Sequence, residues 1–350
     1  MKKITLFLAV CMLLFSVTLP ACIDTNPPSE IKNVIIFIGD GMGFNHIENA
    51  KTYFGINKFC FEDFEKHDVT THSKNNSVTD SAAAATALAT GTKVNNGNVS
   101  RLDGQDLKHI MAIAKQNNKK TGVVTSDKLY GATPACFSSH ANNRNDTTDI
   151  IHGQLTSGID VFIGEQSSTY SNYKNDFENM GYTFASTVDE LLASDPSQKV
   201  IGNIKGMRSQ YNENLSNQVD YAQLVESVLN RLDNENGFCL MVENSFIDKC
   251  SHNNDAYGAV CEARTFADMI QKAINFCKNR NDTMIIVTAD HETGGFGKAS
   301  TKEEVTNSLY TTGSHTAANV PLYLFNYAIS DKTIDNTQIF DICKKVICNA

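Results

Sequence analysis

The chain has 350 residues, 41% of them hydrophobic and six of them proline, with no repeats or low-complexity tracts, so we expect one compact domain with a sizeable core. Its formal net charge of −9 argues against nucleic acid as the main partner, because phosphate backbones require a basic surface. The acidic balance does not exclude a small phosphorylated ligand, since bound metal ions can reverse the local charge.

The first residues are typical of an export signal. Lys2 and Lys3 precede an apolar run over residues 4–17, which is too short for a comfortable transmembrane span. A buried helix is the alternative. We predict a signal peptide over residues 1–22, a short linker over 23–30 and the main domain over 31–350, with no transmembrane segment after the signal.

Residues 19–22, Leu-Pro-Ala-Cys, resemble a bacterial lipoprotein cleavage site in which Cys22 becomes the lipidated N-terminus. Ordinary cleavage after Ala21 or nearby is the alternative. The expected location is the periplasm or, for a lipoprotein, the envelope surface to which it is anchored, and an extracellular location is also open.

Short apolar runs that end in polar residues predict buried strands. They lie at 34–38, 123–125, 161–163, 240–242 and 285–288. Helical patterns lie between them at 105–117, 220–232 and 257–279. This alternation predicts an α/β fold with a mostly parallel central sheet and helices on both faces, a three-layer α/β/α arrangement. In such sheets ligands bind beyond the carboxyl ends of the strands, where acidic residues and histidines cluster in this chain.

Two regions are less informative. Residues 165–218 are rich in Ser, Asn, Tyr and Lys and predict a peripheral region with short helices. Eight cysteines follow Cys22, an even number that suggests some disulfides in an exported protein. Cys261 and Cys277 should not pair, because on one helix they lie about 24 Å apart at ~1.5 Å per residue. Cys343 and Cys348 could pair.

The most informative stretch is Val78 to Ala87, in which Thr-Asp-Ser is followed by four alanines. Alanine is the best helix former and Asp80 is a good N-cap, so Ser81 should open a helix. There, backbone N–H groups and the helix dipole favour an anion, so a serine alkoxide and a bound phosphate would both be stabilised. An ordinary cap on a packing helix is the alternative.

Five places carry candidate metal ligands. Asp40 follows a predicted strand among glycines; Asp248 and His252 are four residues apart and would face the same way on a helix. Asp290, His291 and His315 complete the set. This mixture of carboxylate and imidazole suits zinc, whereas sets of oxygen ligands suit magnesium. One such residue is usually structural, but five places in one exported chain indicate a metal centre.

At this point the sequence resembles the alkaline phosphatase family. The matching stretches follow the family's order and cover most of the chain after the signal: residues 38–43, 79–83, 132–135 with His140 and Arg144 after them, 242–252, 288–292 and 315–317. The resemblance implies a three-layer catalytic domain over 31–350. It implies hydrolysis of phosphate monoesters through a phosphoserine, assisted by two zinc ions and one magnesium ion and favoured by high pH.

The resemblance also implies residue roles. Ser81 is the expected nucleophile, and Arg144 the guanidinium that grips two phosphate oxygens. The expected ligands of one zinc are Asp248, His252 and His315; those of the second are Asp40, Asp290 and His291. Asp40 would also reach the magnesium, with Thr133 and Glu243. Lys249 matches a position that touches phosphate through water in some members.

The chain departs from the family at Gly131, where members often have Asp or His. Only three protein oxygens then remain for an octahedral magnesium ion, so we predict a weak magnesium site. A neighbour such as Ser126 or Asp127 taking over that role is the alternative. The short interval between His291 and His315 leaves little room for the accessory domain of larger members, and a homodimer stays open.

Other functions are the alternatives. A sulfatase on the same fold requires a Cys/Ser-x-Pro-x-Arg setting, and the alanines after Ser81 disfavour it. Related phosphodiesterases mostly use a threonine nucleophile. A non-catalytic metal-binding envelope protein, or an interaction protein with an inactive enzyme fold, would need neither Ser81 nor Arg144.

Overall fold

A computed structural model describes residues 31–349 of the chain. The predicted signal peptide, the linker and Cys22 lie outside these residues. Within the described part, no helix is long and apolar enough to cross a bilayer.

A ten-stranded sheet forms the centre of the molecule. In chain order its strands are β1 (Asn33–Gly39), β2 (Glu65–Thr70), β5 (Lys120–Thr125), β6 (Val161–Glu165), β7 (Tyr182–Ala185), β8 (Lys199–Ile204), β9 (Phe238–Asn244), β10 (Thr283–Thr288), β13 (Val320–Phe325) and β14 (Thr333–Asp335). Their spatial order is β14-β2-β13-β10-β1-β9-β5-β6-β8-β7, and β13 alone among these strands runs antiparallel to the rest. Two small antiparallel sheets pair β3 (Arg101–Leu102) with β4 (Gln105–Asp106), and β11 (Glu292–Thr293) with β12 (His315–Thr316).

Two groups of helices pack around the sheet. The first contains α2 (Ser81–Thr90), α3 (Ile110–Gln116), α4 (Ala132–Ser138), α5 (Thr147–Thr156) and α12 (Thr337–Asn349). The second contains α1 (Phe44–Phe54), α9 (Tyr221–Leu232), α10 (Phe246–His252) and α11 (Ala256–Phe276). The central strand β1 is buried throughout and contacts both α11 and α12. The predicted three-layer α/β/α class is confirmed.

The predicted strands all exist, and they are β1, β5, β6, β9 and β10. The helices predicted at 220–232 and 257–279 are α9 and α11, each opened by an aspartate that accepts a hydrogen bond as N-cap. The helix predicted at 105–117 is wrong at its start. Residues 105–106 form strand β4, and α3 begins only after His109, whose ring accepts the hydrogen bond from Ala112 N.

The region 165–218 is only partly as predicted. It does contain the short helices α6 (Ser168–Ser171), α7 (Lys174–Asn179) and α8 (Val188–Ala193). However, it also supplies β7 and β8, which extend the main sheet at one edge. These strands were not predicted because they are short and lie among polar residues.

None of the eight cysteines in the described part of the chain forms a disulfide. The expected disulfides are therefore absent, including the one considered between Cys343 and Cys348. Both of these residues lie on α12, where Cys343 is buried and Cys348 is exposed, so their side chains face different surroundings. Cys261 lies on α11 and Cys277 directly after it, and they do not pair, as predicted.

Candidate active site

The register of the central strands brings the candidate residues to one edge of the sheet. Glu243 on β9 pairs with Ile38 on β1 and with Thr125 on β5, and Ile38 also pairs with Thr288 on β10. Because these four strands are parallel, their carboxyl ends meet at the same edge. Asp40 follows β1 there, and Asp290 and His291 follow β10.

Ser81 lies at the first position of α2, as predicted. Asp80 is the N-cap, and its Oδ1 accepts a hydrogen bond from Ala83 N at 2.9 Å. Every residue of α2 is buried, and its small alanines allow close packing against α4. The hydroxyl of Ser81 lies 3.2 Å from Nε2 of His291. The serine oxygen is therefore held at a helix N-terminus and faces the metal-ligand candidates.

Asp248, His252 and His315 form the first cluster of donor atoms, all within 4.8 Å of one another. Asp248 and His252 lie one turn apart on α10, which confirms that they face the same way. Asp248 Oδ1 is 3.3 Å from Nε2 of His252 and 3.5 Å from Nε2 of His315. The structure thus brings together the three residues expected to share one zinc.

Hydrogen bonds fix the two histidine rings of this cluster. Nδ1 of His252 lies 2.8 Å from the carbonyl of Gly313, and Nδ1 of His315 lies 2.9 Å from that of Thr79. A carbonyl only accepts, so each Nδ1 carries the proton and each Nε2 presents a lone pair. Although burial opposes it, the carboxylate of Asp248 raises the pKa of His315. Either a proton or a cation is therefore needed between these rings.

The second cluster surrounds Nε2 of His291. Asp290 Oδ2 lies 3.2 Å from this nitrogen and Asp40 Oδ1 lies 3.4 Å from it. Asp248 borders this cluster as well as the first, since its donor atoms lie within 4.8 Å of those of Asp40 and His291. Burial together with neighbouring His315 holds the pKa of His291 well below its ordinary value, so its ring is neutral and able to coordinate a cation.

A turn after β1 holds this second cluster in place. Gly41 N donates to Asp290 Oδ1 at 3.1 Å, and His291 N donates to the same oxygen at 2.9 Å. Gly41 has a φ of +72°, and a Cβ at this position would lie 2.8 Å from the backbone of Asp248. Only glycine therefore allows the turn and α10 to approach so closely.

Three of the oxygens predicted to bind metal are left without hydrogen-bond partners. Asp40 Oδ1, Thr133 Oγ1 and Asp290 Oδ2 are buried and form no hydrogen bond with any described residue. Leaving buried polar atoms unpaired is costly, so a native structure pairs nearly all of them. Together with the lone pairs of His252 and His315, these atoms fit cations that the candidate residues would hold.

Thr133 and Glu243 lie beside Asp40 and form an oxygen-rich third group. Burial raises the pKa of Glu243 to about 7, although hydrogen bonds such as the one from the Thr125 hydroxyl oppose the shift. Thr133 lies close enough to Glu243 to lower that pKa, without a hydrogen bond of normal geometry. Burial and the neighbouring Asp290 raise the pKa of Asp40 well above its usual range. Such crowding of carboxyl groups favours a divalent cation.

Arg144 is aimed at the same site from the loop after α4. Its Nη1 donates to Asp80 Oδ2 at 3.1 Å, and Asp80 Oδ2 also accepts from Gly97 N at 3.0 Å. Its Nε and Nη2 donate to no other described residue, so they remain available to an anion. Burial disfavours its charge, but the nearby Asp80 and Asp40 raise the pKa of Arg144.

Lys249 lies near the magnesium-ligand candidates. Its ammonium is 2.6 Å from Asp127 Oδ1 and lies over the Phe246 ring, 4.5 Å from the centroid. His140, which belongs to one of the matching stretches, points away from the site and bonds to the carbonyl of Leu107 at 2.8 Å.

Three further residues contribute to the site without having been predicted from the sequence. Thr293 Oγ1 donates to Asp248 Oδ1 at 2.5 Å and lies 3.2 Å from His291 Nδ1, so it orients one residue from each cluster. Asp80 appeared only as a helix cap, yet it also positions Arg144. Thr125 binds Glu243. The position of Thr125 at the end of a strand could have indicated its role in the site. For Thr293, the indication was its place directly after Glu292.

The chain is similar to characterised proteins over most of its length. It is 33% identical to alkaline phosphatase 4 of Bacillus subtilis over 290 residues, which are 77% of this chain and 63% of the relative. The chain thus spans somewhat less than two thirds of that relative's length.

Solved structures agree. The cold-active alkaline phosphatase of the psychrophile Shewanella sp. matches with a TM-score of 0.79 and 26% identity, over 90% of this chain and 99% of that one. A variant alkaline phosphatase of the Antarctic bacterium TAB5, with Mg bound in its M3 site, matches with a TM-score of 0.78 and 27% identity, over 93% and 99%. The family described as alkaline phosphatase matches residues 31–341, so the chain belongs to the alkaline phosphatase family.

Proposed function

We propose that this protein is an alkaline phosphatase that hydrolyses phosphate monoesters through a phosphoserine at Ser81. The observation that carries the proposal is the position of the Ser81 hydroxyl. It opens α2 and lies 3.2 Å from His291 Nε2. Asp290 Oδ2 and Asp40 Oδ1 lie 3.2 and 3.4 Å from the same nitrogen, and neither oxygen has a hydrogen-bond partner among the described residues. A nucleophile, an anion-binding helix terminus and cation ligands therefore converge at one point.

The donor sets support two zinc ions and one magnesium ion. Asp248, His252 and His315 would hold one zinc, and Asp40, Asp290 and His291 the other, since both sets combine carboxylate and imidazole. Asp40, Thr133 and Glu243 offer only oxygen, which suits magnesium, and the TAB5 structure with Mg in a site named M3 supports this assignment. When bound, such ions supply charge that stabilises a serine alkoxide, a leaving-group oxygen and the phosphoryl group in transit.

The protein's own residues then have defined tasks. The Ser81 Oγ–phosphorus bond forms while the ester P–O bond breaks, and the proton lost by Ser81 is balanced by one taken up by the leaving alcohol. The free edge of Arg144 binds equatorial phosphoryl oxygens, and the N–H groups opening α2 face the same charge. Water then attacks phosphorus, giving phosphate and restoring Ser81. His291 and Asp80 fix the nucleophile and the guanidinium between these steps.

The test compares three chromogenic substrates that differ only in the ester group. With zinc and magnesium added, a phosphomonoester should be hydrolysed far faster than a phosphodiester or a sulfate ester, and more rapidly at pH 9 than at pH 6. A chelator should abolish turnover, and acid quenching should trap phosphate on Ser81, identified by peptide mass. Preference for the diester or the sulfate ester would contradict the proposal. Absence of turnover in the fully metallated protein would favour a metal-binding protein without catalysis.

We further propose that the protein is exported and that Cys22 carries lipid, which with a second membrane signal gives stable anchoring. The sequence before Ile31 supports this proposal. A mature protein that begins at another residue and fractionates away from membranes would contradict lipidation. A homodimer stays a prediction that light scattering of the purified protein checks.

A further inference from the structure

Asp127 stands at the carboxyl end of β5, next to the oxygen-rich group of Asp40, Thr133 and Glu243. Its backbone N–H donates to the Thr125 hydroxyl at 2.8 Å, and that hydroxyl donates to Glu243 Oε2. A continuous chain of hydrogen bonds therefore joins residue 127 to a magnesium-ligand candidate. Asp127 is half-buried, and its Oδ1 is 2.6 Å from the Lys249 ammonium.

Gly131 leaves the space in which the Asp127 carboxylate lies. A Cβ on residue 131 would be 2.8 Å from Asp127 Oδ2 and 3.0 Å from the carbonyl of Lys128. The backbone of Gly131 has φ −57° and ψ 162°, which any residue can adopt, so a larger side chain here would be limited by the Asp127 carboxylate and not by conformation. The side chain absent from residue 131 is thus replaced, at the same place, by a carboxylate from residue 127.

We propose that Asp127 is the positioning residue of the magnesium site, a role that rests on the function proposed above. Asp40, Thr133 and Glu243 supply three oxygens, so an octahedral ion keeps water in its remaining positions. Those waters need acceptors, and a carboxylate close enough to Glu243 to act on its charge supplies them together with a further negative charge. Asp127 acts through the waters and through Lys249, without contacting the reacting atoms.

The buried oxygens nearby that lack hydrogen-bond partners indicate that this site binds a cation. Thr133 Oγ1 is buried, belongs to the helix that Gly131 caps, and has no hydrogen-bond partner among the described residues; Asp40 Oδ1 is in the same state. Neither is reached by Lys249, whose ammonium is engaged by Asp127 and the Phe246 ring. Asp127 therefore holds the Lys249 ammonium beside the site and offsets its positive charge.

This arrangement changes the expectation drawn from sequence. A weak magnesium site was predicted because Gly131 has no side chain to orient the ion's waters. Because the Asp127 carboxylate lies in that space, we now expect weak magnesium binding only in variants that lack this carboxylate. The other neighbour considered, Ser126, is bonded to Ser245 at 3.0 Å and to its backbone N–H at 2.8 Å, so its hydroxyl is already engaged.

The experiment measures magnesium binding directly, by calorimetric titration of the zinc-loaded protein. Asp127→Asn keeps the size of the side chain and removes its charge, and it should weaken magnesium binding by ~10–100-fold, the usual effect of such outer partners. Zinc content should not change. Asp103→Asn is the matched control, because Asp103 is also paired with a lysine, Lys74 at 3.5 Å, but is exposed. This control should bind magnesium like the parent protein.

A variant that moves the carboxylate from residue 127 to residue 131 separates loss of the carboxylate from a general disturbance of the fold. Asp127→Gly combined with Gly131→Asp moves the carboxylate to the neighbouring position, and it should recover magnesium affinity to within a few-fold of the parent protein, whereas Asp127→Gly alone should not. Equal magnesium affinity in the parent protein and Asp127→Asn would overturn the role of Asp127, and so would a parent protein that turns over substrate but binds no magnesium. Failure of the proposed function looks different: the metallated parent protein would bind magnesium but show no phosphomonoesterase activity.

Discussion

Nε2 of His252 and Nε2 of His315 face each other at 3.0 Å, although both Nδ1 atoms are committed to backbone carbonyls. Two lone pairs at this distance, next to the carboxylate of Asp248, repel each other unless a proton or a cation lies between them. The protein holds this arrangement by bonding each ring from behind, so the rings cannot turn away. The same competition between protons and cations extends to the buried carboxyl groups of Asp290 and Glu243.

Metal binding should therefore release protons in a pH-dependent way. Burial and repulsion by Asp248 raise the pKa of Asp290 to about 7, and burial raises the pKa of Glu243 to about 7. Both groups are largely protonated at pH 6 in the metal-free protein and ionised at pH 9, whereas a bound cation requires the carboxylates. We expect more protons to be released per ion at pH 6 than at pH 9. Calorimetric titrations with zinc and magnesium, repeated in buffers of different ionisation enthalpy, measure this number.

The same pKa shifts determine how the stability of the metal-free protein depends on pH. Both folded pKa values lie above the ordinary values of 3.8 and 4.5, so the folded metal-free protein binds more protons than the unfolded chain between those values and about 7. The contribution of these groups to stability is lost as the pH rises through that window.

Asp290→Asn should lower, but not abolish, the number of protons released on metal binding at pH 6. Equal proton release at both pH values would contradict the assignment of these carboxyls to the metal sites.

Ser81→Ala should lower turnover by several orders of magnitude while the fold and the zinc content stay unchanged. The reason is that Ser81 supplies the covalent nucleophile, whereas the metal-ligand candidates lie on other residues. Turnover of a phosphomonoester, circular dichroism and metal analysis are the measurements. Ser77→Ala, at an exposed serine just before the same helix, is the matched control and should behave like the parent protein. A fully metallated Ser81→Ala protein with normal turnover would rule out the mechanism.

Arg144→Ala should weaken inhibition by phosphate and slow turnover, but less than loss of Ser81, because the cations would still attract the substrate. Asp80→Asn should produce a milder loss of phosphate affinity. An amide can still accept the cap hydrogen bond from Ala83 N, but it no longer offers a charge to hold Arg144. The inhibition constant of inorganic phosphate measures both effects. Unchanged phosphate affinity in Arg144→Ala would show that the guanidinium does not bind the anion.

The parts that could be predicted from sequence are those determined locally. The cap at Asp80 and the alanines after Ser81 predict α2, and the one-turn spacing of Asp248 and His252 predicts their common face. Contacts between distant segments could not be predicted in this way. The placement of Asp127 against Gly131 depends on how β5 and α4 meet, and the hydrogen bond from Thr293 to Asp248 joins residues 45 positions apart. The strands β7 and β8 were missed for another reason, because they are short and lie within a stretch rich in polar residues.

The last prediction concerns acid stability away from the active site. His109 caps α3 through Nδ1 and stacks on His140, with ring centroids 5.3 Å apart. Burial, with a smaller contribution from His140, lowers the pKa of His109 to about 3 from 6.5, so the folded protein keeps this ring neutral while the unfolded chain takes up a proton below pH 6.5. The stability that this neutral ring allows is lost as the pH falls from 6.5 towards 3, by up to ~2 kcal/mol at pH 5.

His109→Asn keeps a cap acceptor for Ala112 N–H but cannot titrate, so its free energy of unfolding relative to the parent protein should rise between pH 8 and pH 5. Urea unfolding at both pH values, with chelator present to remove the metal contribution, measures the difference. An equal pH dependence of the free energy of unfolding in His109→Asn and the parent protein would mean that the ring is protonated within the fold.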